Sequence, residues 1–365
     1  MPSAPNGILS GALSDRRKPR VSEAVILKGN SRPAGGKQLI VLDGPPHSWR
    51  LPSSVSGTAV TVGVFDGIHL GHQRLLTEVA RSAAESGRTP AVATFDPHPL
   101  EVLAPEKAPR MLTSIAHRLE ILEEMGMGVV GVMPFSDIRE MEADAFISEV
   151  LSGCLRAGLL VVGENFRFGK GGRGSVETLR RAGSRKGFGV EVVGLLASHS
   201  LSDPVGVPIN SSRIRRCLRE GRTGEAAELL GRPFELRGTV IHGEQRGAKM
   251  GIPTANLDIP QRMSMPAMGI YAVWAEVEGE RHPAAANLGV RPTFGENRLM
   301  TEAHLLDFSG DLYGRHLKLG FIGDRIRPEI KFGSADELLA QVNRDIAEVR
   351  MRLGSASADP STALE

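Results

Sequence analysis

The sequence predicts an α/β chain in two parts: a doubly wound parallel sheet, then a small antiparallel barrel or sandwich closed by one helix. Three observations predict this. From about residue 58 to 195, short apolar β-branched runs alternate with helical periods, as βαβ units do. From Phe234 to Ile322 only strand-like runs occur, separated by Gly, Pro and Asp. After Ser334 a single helical period closes the second part.

The elements follow in order. Thr58–Val64 is β-branched and almost wholly apolar, as a strand covered on both faces should be. A helical period over Arg74–Glu85 ends at Gly87, and Ala91–Phe95 reads as the next strand. A helix opens at Ser114 and stops near Gly126, before the strand Gly128–Met133. A helix over Ala143–Leu155 precedes the strands Leu159–Val162 and Gly189–Leu195. Helices at Ser211–Glu220 and Thr223–Leu230 then meet the breaker Leu230-Gly231-Arg232-Pro233. The second part contains strands at Glu235–Ile241, Tyr271–Val277, Ala284–Leu288, Glu302–Phe308 and His316–Phe321. In its final helix Ser334 and Glu337 make a capping box, and Leu338, Leu339, Val342, Ile346, Val349 and Leu353 form one apolar stripe.

Composition narrows the function classes. At 365 residues the chain has room for about two domains. It is 41% hydrophobic and 24% charged, which suits packed cores, and only 4% aromatic, so those cores are aliphatic. No apolar run reaches the ~18 residues of a bilayer span. Two cysteines, Cys154 and Cys217, make neither a disulfide framework nor a zinc ribbon, and with no secretory signal pattern they point to a reducing, cytoplasmic compartment. The net charge of +2 is too small to suggest a nucleic-acid partner. Residues 1–37 carry +5 of it and are rich in Ser, Gly and Pro, which reads as a solvated, disordered extension rather than a transit peptide. The extension is taken to residue 54, and the polar end at 354–365 reads as a disordered tail.

Four stations in the first part carry chemistry. Val64-Phe65-Asp66-Gly67-Ile68-His69-Leu70-Gly71-His72 lies where a strand gives way to a helix N-terminus, the place that favours phosphate. Gly67 and Gly71 remove side chains that would block close approach, and His69 and His72 can donate hydrogen bonds to a phosphoryl group. A metal site with Asp66 as third ligand is the lesser reading, and ordinary surface histidines explain the pair taken alone. Thr94-Phe95-Asp96-Pro97-His98-Pro99 ends the next strand as a rigid polar turn. In Gly163-Glu164-Asn165-Phe166-Arg167-Phe168-Gly169, Asn165 either binds a nucleotide or positions a carbonyl, while Phe166 and Phe168 pack or stack. The basic glycine-rich loop that follows is not a Walker A loop. Asn210-Ser211-Ser212-Arg213-Ile214-Arg215 opens a helix with hydroxyls and guanidiniums suited to polyphosphate, although Ser211 or Ser212 could simply cap it.

In this order and spacing, the four stations resemble the nucleotidyltransferase superfamily, and more narrowly the bacterial bifunctional riboflavin kinase/FMN adenylyltransferases. Asn210-Ser211-Ser212 stands where that family has Ser-Ser-Thr. The second part carries the rest of the resemblance. Arg246-Gly247-Ala248-Lys249-Met250-Gly251-Ile252-Pro253-Thr254-Ala255-Asn256 is similar to the kinase signature, with Ala248 and Ile252 where Arg and Phe are common. Asn287–Phe294, Thr301–Phe308, Asp311–Gly314 and Ile326–Phe332 also match.

The resemblance implies a Rossmann-like nucleotidyltransferase domain at 55–231 and a riboflavin kinase barrel at 232–353. The barrel would make FMN from riboflavin and ATP, and the first domain would join AMP from ATP to FMN, giving FAD and pyrophosphate. It implies catalytic roles for His69, His72 and Glu302. Asp66, Gly67, Gly71, Asn165, Ser211, Ser212, Arg215, Gly251, Thr254 and Asn256 would bind nucleotide or phosphate. Thr254 and Asn256 would hold Mg²⁺, and Asn287, Arg327 and Phe332 would lie beside the flavin. The expected partners are therefore small molecules, with a homo-oligomer left open. The alternatives are an adenylyltransferase for another phosphorylated cofactor precursor fused to a flavin-binding barrel, and a non-catalytic flavin-binding protein. Phe65, Phe95, Phe166, Phe168, Phe294, Tyr313 and Phe332 all fall in these motifs, which suggests aromatics gathered at the ligands.

Overall fold

A computed structural model describes residues 25–26, 38–194, 196–200, 203–243, 252–293 and 296–355. Leu195, residues 244–251 with Gly251 among them, Phe294, the end at 356–365 and nearly all of the basic segment at 1–37 lie outside the described residues.

The first domain is a parallel sheet with helices on both faces. Its strands are β1 (Val25–Ile26), β2 (Ile40–Asp43), β3 (Thr58–Val62), β4 (Thr89–Phe95), β5 (Val129–Met133), β6 (Ala157–Gly163) and β7 (Gly189–Val193), in the order β1-β2-β5-β4-β3-β6-β7. All neighbours from β2 to β7 run parallel, and the two-residue β1 adds antiparallel at the β2 edge. Every residue of β3 and β5 is buried, so these central strands are apolar throughout, because helices cover both of their faces. The chain winds one way from β3 to β5 and then crosses back to β6, so the topological switch lies between β3 and β6. Ligands bind such sheets outside the carboxyl ends of the strands near that switch.

The helices are α1 (Leu70–Glu85), α2 (Pro99–Leu103), α3 (Ile115–Glu124), α4 (Phe135–Ile138), α5 (Ala143–Ala145), α6 (Val176–Lys186), α7 (Ser211–Arg219) and α8 (Thr223–Leu230). Helix α1 starts at Leu70, earlier than the periodicity predicts, because His69 caps it. The helix predicted over 143–155 begins as α5 and widens over Phe146–Cys154, where Leu155 N–H reaches back five residues to the Val150 carbonyl. A hairpin of β8 (Ala197–Ser200) and β9 (Asp203–Pro208) went unpredicted.

The extension expected at 1–54 needs correcting. Strand β2 pairs with β5, and Leu39, Val41, Leu42, Trp49 and Leu51 are buried in the domain core. This stretch is short, and its strand partner lies some 90 residues away, so the basic, Ser- and Gly-rich composition around it masks it.

The second domain is a closed antiparallel barrel. Strands β10 (Glu235–Ile241), β11 (Ala255–Asp258), β12 (Gly269–Val277), β13 (Glu280–Thr293), β14 (Glu296–Leu305) and β15 (His316–Arg327) join in the order β10-β11-β14-β13-β12-β15, and β15 returns to β10. Closure leaves no open edge. Alternating Leu236, Val240, Leu257, Val273, Leu288, Leu305 and Leu319 fill the interior. Helix α9 (Ala335–Ser355) covers one outer face with Val349 and Leu353 against Ala272 and Trp274. Ser334 Oγ accepts the Glu337 N–H as a cap, but the Glu337 carboxylate turns to the Gly333 N–H instead of closing the box. Leu339 in the predicted apolar stripe is 40% exposed.

The two domains share a hydrophobic core, in which Leu112, Ile214, Leu218 and Leu229 meet Phe234, Tyr271 and Phe321. They also share backbone bonds. Met111 N–H donates to the Arg262 carbonyl, and Ser264 N–H donates to the Met111 carbonyl.

Candidate active sites

The first site is built from loops at the carboxyl ends of β3 and β4 and from the N-terminus of α7. It surrounds a cavity of about 450 Å³ lined by Asp66, His69, His72, Ser211, Ser212 and Arg215 among others. The fold thus brings six residues together that are up to about 150 apart in sequence. Gly67 and Gly71 lie in the same loop and first turn. Gly67 has φ +82°, and a Cβ there would lie 2.8 Å from Leu112 Cδ1. At Gly71 a Cβ would crowd the His69 ring at 3.2 Å. Asn165 stands exposed after β6 and is not among the residues lining this cavity.

His69 is the N-cap of α1, and its Nδ1 accepts the His72 N–H at 3.3 Å. The neutral ring therefore carries its proton on Nε2, as a donor. Burial pulls the His69 pKa down to about 4, against its own backbone hydrogen bond and aided by the Arg232 charge. His72 is driven well below its ordinary value by burial, then by His69 and Arg118. The two rings stack with centroids 3.7 Å apart, a distance tolerable for two neutral imidazoles and costly for two cations. The buried His72 Nδ1 has no partner among the described residues. Two neutral imidazoles beside a helix N-terminus can donate to phosphoryl oxygens without a proton to lose.

Asp66, 2% exposed, faces inward. Its carboxylate accepts from the Leu112 and Thr113 N–H groups, the Thr113 hydroxyl and Arg215. Arg215 also donates from Nε to the Arg110 carbonyl. The pair thereby fixes the loop, and Arg215 still lines the cavity. Asn210 caps α7 by accepting the Arg213 N–H, which frees Ser211 Oγ to donate to the Asp66 carbonyl.

Sequence reasoning missed several contributors. Arg118, 1% exposed, donates from Nη1 to the carbonyls of Val64 and Phe95 and to the Thr94 hydroxyl, pinning the ends of β3 and β4 together. Lys107 and His98 line the cavity, and His98 also caps α2. His98 carried a hint in its turn motif. Arg118, on a helix with ordinary periodicity, carried none. Phe168 is buried in the domain core and stacks on Phe166, as its packing reading expects, and the buried Phe65 meets the His72 ring edge-on with centroids 5.1 Å apart.

The second site follows from sheet register. Asn256 on β11 lies opposite Glu302 on β14, Glu302 opposite Asn287 on β13, Asn287 opposite Ile270 on β12, and Ile270 opposite Arg327 on β15. Four predicted residues therefore fall on one row across five strands. Directly opposed residues share a face, and the neighbours Ala255, Ala303 and Ala286 point into the barrel, so the row faces outward. Thr254 lies two residues before Asn256. Gly243 packs on the Asn256 amide so closely that no Cβ would fit. Asn287 Oδ1 is buried without a partner among the described residues. Arg327 is held by Asp345 of α9 through Nε at 2.9 Å and Nη2 at 2.6 Å, with its guanidinium 6.0 Å from the Phe332 ring.

Comparison with known proteins reads the same two halves. Residues 51–202 match the FAD synthetase family and residues 230–353 the riboflavin kinase family. The chain is 38% identical to the bifunctional riboflavin kinase/FMN adenylyltransferase of Escherichia coli K12 over 300 residues, 82% of this chain and 93% of that one. This chain belongs to the bifunctional riboflavin kinase/FMN adenylyltransferase family. The family's protein from Bacillus subtilis strain 168 is 36% identical over 296 residues, covering 80% and 91%. A crystal structure described as a macrolide-efflux protein from Streptococcus pneumoniae superposes on 85% of this chain and 98% of its own, with TM-score 0.75 and 30% identity. Among the described residues of this family member, no helix is long and apolar enough to cross a membrane.

Proposed function

We propose that the domain ending at residue 231 transfers AMP from ATP to FMN, and that residues 232–353 phosphorylate riboflavin. The observation that carries the reading is the register row joining Asn256, Glu302, Asn287 and Arg327, found in one chain with the paired neutral imidazoles at the first cavity.

In adenylyl transfer the FMN phosphate attacks the α-phosphorus of ATP and pyrophosphate leaves. His69 and His72 donate to oxygens on which charge accumulates. Gly67 and Gly71 admit the phosphates to the first turn of α1, and Ser211 and Ser212 offer hydroxyls at the start of α7. Asp66 and Arg215 hold the loop in place, and Asn165 contacts nucleotide only when a ligand spans to β6.

In the kinase, Glu302 takes the proton of the ribityl hydroxyl as it attacks the γ-phosphorus. Asn287, Arg327 and Phe332 flank the flavin, and Gly251 binds the ATP phosphates. The hydroxyl of Thr254 and the amide oxygen of Asn256 are hard donors that fit Mg²⁺, which would neutralise phosphate charge. Among the described residues no group of three His, Cys, Asp or Glu could hold a metal, so the remaining ligands would be phosphate and water oxygens. We place the protein in the cytoplasm.

The test is incubation with riboflavin, ATP and Mg²⁺ while FMN and FAD are resolved by chromatography. Both should appear in that order. Absence of any flavin product overturns the reading, and FMN without FAD overturns its first half.

A further inference from the structure

We propose that Arg232, at the start of the barrel, is a positioning residue for adenylyl transfer in the other domain, a role that rests on the reading of the first cavity given above. The loop it serves is held in an unusual shape. Phe65, Gly67 and Ile68 have φ of 51°, 82° and 39°. Ile68 is β-branched and fully buried, and such a residue adopts positive φ only when its surroundings impose it. The loop's carbonyls show what imposes it. Arg232 donates from Nη2 to the Gly67 carbonyl at 2.7 Å and from Nη1 to the Ile68 carbonyl at 3.1 Å. These are the two residues immediately before His69. With their carbonyls held by one rigid fork, the backbone leading into His69, whose ring lines the cavity, is fixed in place.

The clamp is tied to the barrel. Arg232 is followed by Pro233 and by Phe234, which is buried in the shared core and accepts the Phe321 N–H of β15. The adjoining linker packs tightly on α1. Gly231 has φ +68°, and a Cβ there would lie 2.6 Å from Leu70 Cδ2. Gln73 of α1 donates to the Ile68 and Leu230 carbonyls, binding loop, helix and linker into one unit. Burial draws the Arg232 pKa down to about 10, so the group remains a cation at neutral pH. Its Nε is buried without a partner among the described residues. A guanidinium costs more to bury than an apolar residue of similar size, and here its fork meets two adjacent loop carbonyls.

The test uses full-length protein carrying Arg232→Ala, Arg232→Lys or no change, with both activities measured on each preparation. Wild-type protein that makes FMN but no FAD would refute the reading of the cavity, not the clamp. Given wild-type FAD synthesis, Arg232→Ala should lower kcat for FAD formation about 10²-fold, the loss expected from misplacing reacting groups by about 1 Å. KM for ATP and FMN should change by less than about threefold and riboflavin phosphorylation by less than about twofold. Arg232→Lys keeps the charge but not the fork, and should recover part of the loss. Unchanged FAD synthesis in Arg232→Ala overturns the proposal, as does a rise in KM alone or a parallel fall in both activities. If Arg232→Ala does not fold, Arg232→Lys decides: a selective loss of kcat for FAD supports the clamp, and none overturns it.

Discussion

The two sites are held in shape by different means. Around the second, register does the work: hydrogen-bonded strands set Asn256, Glu302, Asn287 and Arg327 in one row before any side chain bonds to another. Around the first, the strands end before the chemistry starts, and positive-φ residues carry the chain through a loop. That loop is fixed by side chains reaching backbone groups from far along the chain: Thr113 to Gly67, Arg118 to Val64, Arg232 to Gly67. A register site should fail mainly at the residues that touch substrate. A loop site should also fail at residues that never do.

The largest effect tests the independence of the two. Glu302→Ala should lower FMN formation by about 10³-fold, within the range for removing a general base, while FAD synthesis from added FMN continues. Chromatography of products from riboflavin and from FMN separates these outcomes. Loss of both would mean that the sites share a dependence that register alone does not create. The converse variant, His72→Ala, should cost FAD formation about 10²-fold, comparable with losing one donor to a transition-state oxyanion, and should spare the kinase.

Much of this was legible in the sequence, for physical reasons. The parallel strands are buried on both faces and so read as apolar runs, and the barrel strands read by alternation. Thr223–Leu230 and Glu235–Ile241 begin and end where their patterns do. Ser114 marks a helix start in the sequence, and its hydroxyl accepts the His117 N–H. What stayed hidden depends on partners remote in sequence. Strand β2 has meaning only beside β5. Thr113, Arg118 and Arg232 reach the backbone of Val64 and Gly67 from 46 to 165 residues away, and a backbone partner leaves no mark on composition. The motif residues stood out because the chemistry proposed for them demands particular side chains. Their supports did not, because any backbone can donate or accept a hydrogen bond.

Proton uptake sharpens the comparison by a smaller effect. His69 and His117 have pKa values near 4 and 2, both lowered first by burial. Unfolded, each titrates near 6.5, so below that pH the unfolded chain binds protons that the folded chain refuses. Stability should be full above pH 6.5, fall as the pH drops below it, and stop falling on account of His69 near pH 4. His117 sits between domains, 3.6 Å from Glu235, and contributes throughout that window. Thermal unfolding of His117→Leu should depend less on pH between 4 and 6.5 than that of the wild type. An identical dependence would refute the buried neutral ring.

The smallest effect belongs to a contact that looks like the Arg232 clamp. Arg262, also from the barrel domain, reaches across to Glu101 at 2.7 Å and Asp96 at 3.5 Å, beside the cavity residue His98. It differs in what surrounds it. Its side chain is 49% exposed, its partners are carboxylates that water can solvate, and its backbone already bonds to Met111 without the guanidinium. An exposed pair of this kind is worth less than about 1 kcal/mol. Arg262→Ala should therefore change kcat for FAD formation by less than about threefold, with the small loss fading as salt screens the pair. Steady-state rates at low and high ionic strength would measure it. A loss as large as that of Arg232→Ala would show that the barrel holds the first site by surface charge as well as by buried bonds to loop carbonyls, and the contrast between the two arginines would fail.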